Sequence, residues 1–591
     1  MKALVCYYNR KVGAIMTELW DEVNDVEYDV QDVLIYSTIH DKLKRILNEI
    51  GESHPEYLDV NVLEKTFSLA VNLDDHVEPY TFQLLIKENR SIGLQDFSED
   101  MVNTLKKIID ENILRSSLML FRVMDVYWTL RKDYLIRGKL FSNLMLSIDS
   151  CFSQEKYHLT KDLLERGFQL FGSEPKKRNE LIEKLDSIIE TYNLTLQLDP
   201  SIKIFIYGLL DLAHKYHYIK GEKYPKIGVG IAEIFERNND FDSAIHWWKL
   251  CTKWYFKLKR DDCAFNCKKN EALNYYALAK KELAKEKINY FVVVHNINCA
   301  ILSMRKVKGN EELVQNWSIE KKEYEKNTLG QFSYIESPGI DISKTLEEIE
   351  IDLTGKNLYQ IIYYITNLVN SIDYQKVLDE SSNNKGLVEL IPNQIVNEEG
   401  KTIYISENDN KFPNYVINVY RARYEYSAAL IQHSIELLYN QHFSRIEYLL
   451  EITEQNIFIP ENRKFIFARG LFEGLKANYV SSLSILIPQF ENSIRFLLEQ
   501  HGENVTNLGE DSVQEEQTLN KLLSNDKLVE ILGLNVVKDL QHLFVNKGGE
   551  NLRNKLSHGL LSLGGFNSPA AIYAFGIILK IVLFFKLEYI S

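Results

Sequence analysis

Residues 551–560, NLRNKLSHGL, bring together three side chains that could cleave a phosphodiester bond. The imidazole of His558 is of a type that titrates near neutral pH, and the guanidinium of Arg553 offers forked donors suited to phosphate. On a straight helix Asn554 shares a face with His558, whereas Arg553 and His558 lie about 140° apart around the axis. Asn554 is therefore expected to orient the imidazole while Arg553 reaches the same cleft from the side. This set predicts phosphodiester cleavage without a metal.

RNA is the substrate that these three side chains could cleave without further groups, because its 2′-hydroxyl is a nucleophile already attached next to the phosphate. His558 would transfer protons, and Arg553 would stabilise the charge that develops on the phosphate oxygens. A base and an acid are both needed, so two chains meeting at this segment would supply the pair of histidines. The competing interpretation is a solvated helical turn, because short motifs of this kind often match by accident. The spacing of the three residues does not by itself distinguish a catalytic site from such a turn.

Three further residues are candidates for lining the same cleft. Glu491 and Arg495 lie in the preceding segment PQFENSIR, and Lys555 lies within the motif itself. The favoured interpretation of Glu491 and Arg495 is an ordinary ion pair between positions i and i+4 of one helix.

The chain as a whole is acidic, with 69 Lys and Arg against 83 Asp and Glu, a net charge of −14. Such a molecule is not built to lie along a phosphate backbone, so any nucleic-acid contact must be local. Residues 541–591 contain five bases and only two acids, and the motif lies inside this small basic segment. The five bases are Lys547, Arg553, Lys555, Lys580 and Lys586.

The motif resembles the signature of the HEPN superfamily, the higher eukaryotes and prokaryotes nucleotide-binding helical domains. The resemblance extends over roughly residues 413–591, since FIPENRKFIFARGLFEGL, LIPQFENSIRFLLEQHG, TLNKLL and NLRNKLSHGL follow in the order seen in a large, poorly characterised bacterial family with a C-terminal HEPN-like domain.

The resemblance implies a bundle of four or five helices that forms a homodimer, with the motifs of both copies lining one cleft. It also implies that Arg553 and His558 are the catalytic pair, that Asn554 is their polar neighbour, and that no metal or cofactor takes part. Many members look like ribonucleases of toxin–antitoxin, abortive-infection and CRISPR-associated systems, with products ending in a 2′,3′-cyclic phosphate and a 5′-hydroxyl. Leu560 stands where adenylylated HEPN toxins carry a tyrosine, which puts that form of control in doubt.

Few prolines and glycines, 11 and 27 in 591 residues, favour a mainly all-α protein. From about residue 113 apolar residues recur at helical spacing. The segment IAEIFERNNDFDSAIHWWKLCTKWYFK resembles a tetratricopeptide hairpin, with Ala232 and Ala244 at the helix crossing and Trp248 filling the gap. An irregular helical bundle is an equally good interpretation. Further on, NEEGK between alternating apolar residues predicts a small β-hairpin.

Four regions follow from these patterns: a mixed N-terminal region (1–110), a helical, solenoid-like regulatory region (111–326), an irregular segment with the β-hairpin (327–412) and a HEPN-like helical domain (413–591). Within the last region, residues 416–440 predict one long helix, and Pro488 is expected to interrupt a later one.

The apolar tail AAIYAFGIILKIVLFF is the one stretch that could pass for a membrane span. It is short for that purpose and carries Lys580 near its middle, so a buried terminal helix is the favoured prediction. The N-terminus has no signal-peptide pattern, and six scattered cysteines fit reduced thiols, so a cytoplasmic location is expected. Those cysteines, for which no zinc site is predicted, are Cys6, Cys151, Cys251, Cys263, Cys267 and Cys299.

The leading hypothesis is a metal-independent endoribonuclease that binds RNA, with a helical region that receives a protein trigger or regulator, in antiviral defence or toxin-type growth arrest. The alternative is a non-catalytic HEPN module that binds nucleic acid or nucleotide and dimerises. A helical adaptor with a dimerising tail is the least favoured. No phosphate-binding loop, dinucleotide fingerprint or nucleophile elbow occurs in the sequence.

Overall fold

The computed structural model contains two compact units, residues 1–321 and 322–591. Each unit has its own hydrophobic core. The structure describes residues 19–24, 35–75, 78–81, 85–86, 89–192, 199–218, 221–333, 339–383, 394–397, 399–405, 413–441, 445–508 and 514–590. Cys6 and most of the N-terminal segment tested for a signal pattern lie outside these ranges.

The first unit is almost entirely helical. Its helices are α1 (Ile35–Ile50), α2 (Tyr57–Phe67), α3 (Glu99–Glu111), α4 (Ser117–Arg131), α5 (Arg137–Ser153), α6 (Tyr157–Phe171), α7 (Pro175–Thr191), α8 (Pro200–Lys215), α9 (Lys223–Arg237), α10 (Phe241–Lys257), α11 (Asp261–Leu283), α12 (Tyr290–Met304) and α13 (Glu311–Thr328), whose last residues belong to the second unit. Two antiparallel strand pairs join β1 (Ala70–Val71) to β2 (Tyr80–Thr81) and β3 (Leu85–Ile86) to β4 (Asn89–Arg90).

The predicted helical hairpin is present as α9 and α10. The chain turns between them at Asn238 and Asn239, and Asn239 adopts a left-handed conformation with φ 55°. Ala232 and Ala244 are fully buried and Trp248 is nearly so, because small residues let the two helices approach while the indole fills the remaining space. Helices α11 and α12 pack in sequence after this pair.

The second unit contains α14 (Ser343–Leu353), α15 (Leu358–Asn367), α16 (Tyr374–Asn383), α17 (Asn414–Gln441), α18 (Ile446–Thr453), α19 (Lys464–Gly474), α20 (Tyr479–Gln500), α21 (Leu519–Leu522), α22 (Asp526–Leu532), α23 (Leu534–Leu540), a π-helix (Gln541–Val545), α24 (Leu552–Ser557), α25 (Leu563–Phe566) and α26 (Pro569–Ile590). Strand β5 (Gln394–Val396) pairs antiparallel with β6 (Thr402–Ile405), and β7 (Thr506–Leu508) with β8 (Gln514–Glu516).

The mainly all-α prediction is confirmed, as is the β-hairpin around NEEGK. The interpretation of 327–412 as an irregular segment missed α14, α15 and α16, all of which pack on α17. Their apolar faces are short, and α14 and α16 carry many charged or polar residues, so their periodicity is weak in the sequence. They fold as helices because Ile349, Ile361 and Ile365 reach the core of the second unit.

Pro488 does not interrupt its helix, contrary to the prediction. Helix α20 runs unbroken from Tyr479 to Gln500 with Pro488 inside it. Proline removes one hydrogen bond from a helix interior, a cost of about 3 kcal/mol. Leu486, Ile487 and Phe490 are buried on either side of the proline, and burying such side chains is worth roughly 1.5 to 3 kcal/mol each. Packing therefore keeps the helix continuous up to Glu491.

The apolar tail forms α26, which packs against α17, α18 and α20 in the core of the second unit. Residues 569–586 are long and apolar enough to cross a membrane, and 67% of them are buried in the protein. The ammonium of Lys580 donates to the carbonyl of Val369, and that of Lys586 donates to Glu454 O at 2.7 Å. Two of the five bases counted around the motif therefore bind backbone carbonyls, so the basic segment is smaller than the sequence predicts.

Candidate active site in the C-terminal unit

The turn before the motif is built around the carbonyl of His542 at the π-helix. The side-chain oxygen of Asn546 accepts hydrogen bonds from the amides of Gly548 and Gly549, at 2.7 and 2.9 Å. The amide of Glu550 then donates to the carbonyl of His542 at 3.0 Å. A Cβ on Gly549 would lie 2.2 Å from that carbonyl oxygen, so only glycine lets the chain pass here. This turn fixes where α24 begins.

Helix α24 begins and ends with left-handed residues. Asn551 has φ 52°, and its side-chain oxygen accepts a hydrogen bond from the side-chain amide nitrogen of Asn554 at 2.7 Å. At the other end Gly559 has φ 66°, and the amide of Leu560 donates to the carbonyl of Lys555 at 2.8 Å, which is a Schellman closure. His558 stands at this closure and is exposed. The helix therefore presents the imidazole to solvent at its C-terminal end.

Arg553 is held by a carboxylate from another helix. Its Nε lies 2.8 Å from Oε2 of Glu491 on α20, and its second terminal nitrogen donates to Oε1 at 3.1 Å. The first terminal nitrogen donates to the side-chain oxygen of Asn554 at 3.2 Å. These contacts use three of the five N–H donors of the guanidinium, so two remain for a ligand. The side chain of Arg553 is 26% exposed, which leaves that edge accessible.

Glu491 is itself fixed from several directions. Its Oε1 accepts a hydrogen bond from the amide of Leu519, the first residue of α21, at 3.1 Å. Arg495 lies 3.8 Å from the same oxygen, donates to the carbonyl of Gln517 at 3.0 Å and approaches Glu516 to 2.8 Å. The carboxylate is 12% exposed. Charge-assisted hydrogen bonds in such a partly buried site are stronger than neutral ones.

The structure brings Arg553, Asn554, Glu491 and Arg495 together, but in a different arrangement from the expected one. The shortest ion pair of Glu491 joins it to Arg553 on another helix, and its contact with Arg495 on its own helix is longer. Asn554 binds Arg553 and Asn551, so it does not orient the imidazole as predicted. Its oxygen accepts from the guanidinium and its nitrogen donates to Asn551, at the start of α24, whereas His558 follows the end of that helix. Lys555 is half-buried and forms no ion pair with any residue that the structure describes.

A buried polar network lies under the turn, and no pattern in the sequence predicts it, because its members are single polar residues, most of them far apart in the chain. The carboxylate of Asp539 on α23 accepts hydrogen bonds from Tyr573 (2.7 Å), Tyr424 (2.9 Å) and Ser371 (3.0 Å). The hydroxyl of Tyr424 also lies 3.1 Å from Nδ1 of His542. Burial raises the pKa of Asp539 to about 6 and lowers the pKa of His542 to about 3. The network anchors the π-helix whose last turn leads into the motif.

Together these contacts define an α-helical unit in which a carboxylate fixes an arginine five positions before an exposed histidine. Such a site can bind an oxyanion and exchange a proton with it. No group of three or more His, Cys, Asp or Glu side chains that could hold a metal occurs in the described part of the chain.

Comparison with known proteins concerns the other unit. Residues 23–180 match a family described as a domain of unknown function, DUF7380. The match ends well before the motif. None of the curated proteins and none of the solved structures matches the chain.

Proposed function

We propose that the C-terminal unit is a metal-independent endoribonuclease of the HEPN type. The observation that carries the proposal is the pair of hydrogen bonds from Arg553 to Glu491, which fixes one edge of the guanidinium and leaves two of its donors for a ligand. The exposed His558 follows five positions later in the same motif. A fixed guanidinium suits an oxyanion because it need not reorganise when charge develops on the phosphate. The resemblance of residues 413–591 to HEPN domains supports the same assignment.

In the proposed reaction the 2′-hydroxyl oxygen of RNA attacks the adjacent phosphorus. A histidine takes the proton from that hydroxyl as the new O2′–P bond forms, and Arg553 stabilises the negative charge on the non-bridging oxygens. The P–O5′ bond then breaks and the leaving oxygen receives a proton from a second histidine. The products are a 2′,3′-cyclic phosphate and a 5′-hydroxyl. No atom changes its oxidation state, and the proposed reaction uses no metal ion.

The second histidine is proposed to be His558 of a second copy of this chain. Leu560 is the last residue of the motif and Leu563 follows it, and they are 64% and 71% exposed. Single exposed leucines are normal on a protein surface, but two beside a candidate site suit a homodimer contact. A homodimer formed here would place two copies of His558 close to one RNA strand.

The biological setting proposed for this activity is cytoplasmic, in antiviral defence, abortive infection or toxin-type growth arrest. The helical first unit is the proposed receiver of a protein trigger or regulator, since paired helices commonly present surfaces to peptides and proteins. A nuclease that acts on cellular RNA would need such control.

One observation favours a second function, a non-catalytic module that binds RNA or nucleotide. The imidazole of His558 has no hydrogen bond to any residue with a described position, so no neighbour there fixes its tautomer. Binding through Arg553 and Lys555 requires no such control of a proton.

Cleavage of total cellular RNA in EDTA distinguishes the two functions. Wild-type full-length protein is compared with R553A and H558A, and with the matched controls R469A and H246A, which remove an exposed arginine and an exposed histidine elsewhere. The ribonuclease proposal expects cutting in EDTA, 5′-hydroxyl ends, loss of at least 100-fold in R553A and H558A, and normal rates in the controls. Cutting that needs a metal, or that survives both motif substitutions, would contradict it. RNA binding without cutting, lost in R553A alone, would favour the second function.

A further inference from the structure

A cavity of about 310 Å³ lies within the first unit, inside the stretch that matches the domain of unknown function. Its wall is formed by α1, β1, β2, α4 and α6. This volume is at the lower end of the range for small-molecule sites. The lining is largely apolar: Leu69, Ala70, Val71, Leu73, Phe121, Leu159 and Leu163.

Arg122 on α4 lines this cavity as a buried cation. The residue is only 2% exposed, and one terminal nitrogen donates to the carbonyl of Leu69 at 2.6 Å. The guanidinium carbon lies 4.8 Å from the ring centre of Tyr36 and 4.3 Å from that of Tyr80. Its Nε is buried and has no hydrogen-bond partner among the residues that the structure describes. Arg122 also forms no ion pair with a carboxylate in the described ranges.

The neighbouring arginine is different. Arg166, on α6, is also buried, but it donates to both carboxylate oxygens of Asp125, at 2.8 and 2.9 Å. The hydroxyl of Tyr80 donates to the same carboxylate at 2.6 Å. The charge of Asp125 is therefore matched by Arg166, and no carboxylate with a described position is left as a counterion for Arg122. Burying a cation without a partner is costly, and the cost falls when an anion enters the site.

The other polar residues that line the cavity restrict the ligand. Asp162 and His158 lie 3.2 Å apart, so the carboxylate already has a partner and would repel a second anionic group on the ligand. A ligand with one anionic group at Arg122 and an apolar body along the leucine and valine wall would match the buried cation and the apolar part of the lining.

We propose that the first unit binds a small organic anion, an aromatic carboxylate or phosphate monoester, with the anionic group on the guanidinium of Arg122 and the ring in the apolar cavity. Guanidinium pairs with carboxylates and phosphates through two parallel hydrogen bonds, and the unpartnered Nε supplies one of the donors. This inference does not depend on the proposed nuclease activity, because it concerns a different unit and a different set of residues.

Calorimetric titration of the full-length protein tests the proposal with three probes: benzoate, phenyl phosphate and the neutral benzyl alcohol. The expected result is saturable binding of at least one anionic probe, with one site per chain and at least 10-fold higher affinity than for benzyl alcohol. Binding of benzoate alone identifies a carboxylate site, and binding of phenyl phosphate alone identifies a phosphate site. R122Q is expected to weaken binding at least 10-fold.

The matched control is R131Q, which makes the same substitution on the same helix at an arginine that pairs with Glu99 on the surface. Its affinity should equal that of the wild type. A70L serves as a second variant, because it narrows the cavity but keeps Arg122, and it should weaken binding even where R122Q folds poorly. The proposal is overturned by the absence of binding of both anions at millimolar concentration. It is equally overturned by benzyl alcohol binding as tightly as the anions, or by unchanged affinity in A70L and a folded R122Q.

Discussion

Glu491 and Arg553 are 62 positions apart in the chain, and they are joined by two hydrogen bonds of 2.8 and 3.1 Å. The pair connects the middle of the long helix α20 to the first turn of the short helix α24. Because α24 has only six residues, it depends on such contacts with the rest of the unit for its position. The relationship therefore links the stability of the motif to the core helix beneath it.

A double-mutant cycle of E491Q and R553Q should give a coupling energy of about 1 to 2 kcal/mol in urea denaturation, because each substitution removes one side of a partly buried, charge-assisted pair. This range is already reduced for the partial exposure of Arg553. The surface pair Lys527 and Glu530 is the control, and its coupling should be clearly weaker because solvent screens both side chains. Equal coupling in the two cycles would mean that Glu491 does not hold Arg553 in solution. In the nuclease assay E491Q should reduce cleavage at least 10-fold.

G549A should destabilise the second unit by about 2 kcal/mol or more, because its Cβ would lie 2.2 Å from the backbone oxygen of His542 and the turn would have to move. Thermal unfolding of the full-length protein measures the effect. G564A is the matched control, since the nearest atom to its Cβ lies 3.8 Å away, and it should change stability by less than about 1 kcal/mol. Similar losses in both variants would contradict the close approach at Gly549.

D539N should change how stability depends on pH. The pKa of Asp539 is about 6 in the folded protein and 3.8 in the unfolded chain, so its contribution is fully present below pH 3.8 and is lost as the pH rises through 6. D539N lacks this pH-dependent contribution to the free energy of unfolding. Between pH 7 and 4 the wild type should therefore gain about 2 to 3 kcal/mol relative to D539N.

The pKa of His542 is lowered to about 3, so its contribution is present above pH 6.5 and is lost as the pH falls through 3, opposite in sign to that of Asp539. H542Q should accordingly lose less stability than the wild type on acidification from pH 7 to 4. Urea denaturation at a series of pH values measures both differences. Parallel curves for the wild type and D539N would show that Asp539 has no raised pKa.

The homodimer predicted at the motif should be weakened by charges placed beside it. L560D and L563D are expected to raise the dissociation constant of a dimer at least 10-fold, because each leucine is largely exposed and would bring an unpaired carboxylate into the contact. Sedimentation velocity over a range of concentrations provides the measurement. L508D, at another leucine of the second unit that is 70% exposed, is the control and should leave the dimer intact. A wild-type protein that cuts RNA as a strict monomer would disprove the dimer.

The sequence predicted those parts of the fold that local chemistry controls. Periodic apolar residues are sufficient to form α9, α10 and α17, because a helix is built from contacts four residues apart. The turn around Gly400 has φ 77°, and the glycine in NEEGK allowed its hairpin to be predicted. Pro488 was misjudged for the opposite reason, since buried neighbours from distant parts of the chain outweigh the local preference of proline.

The types of the site residues were also evident in the sequence, but their partners were not. The spacing of Arg553, Asn554 and His558 predicted a shared helix, whereas the choice of Glu491 as the partner of Arg553, and of Asn551 for Asn554, depends on how α20 and α24 pack. The sequence placed Lys580 and Lys586 in a basic segment, but in the structure both ammonium groups donate to backbone carbonyls. Arg122 carried no signal in the sequence.

The sequence by itself therefore determined the helices, the β-hairpin and the residues available for chemistry, because these follow from neighbours within a few positions. Only the tertiary structure decided which charges are matched and which are left for a ligand. Arg166 pairs with Asp125, 41 positions away, and Arg553 pairs with Glu491, 62 positions away. Arg122 is buried beside two tyrosine rings and pairs with no carboxylate in the part of the chain that the structure describes. Pairing of this kind depends on how distant helices pack, so no local pattern in the sequence predicts it.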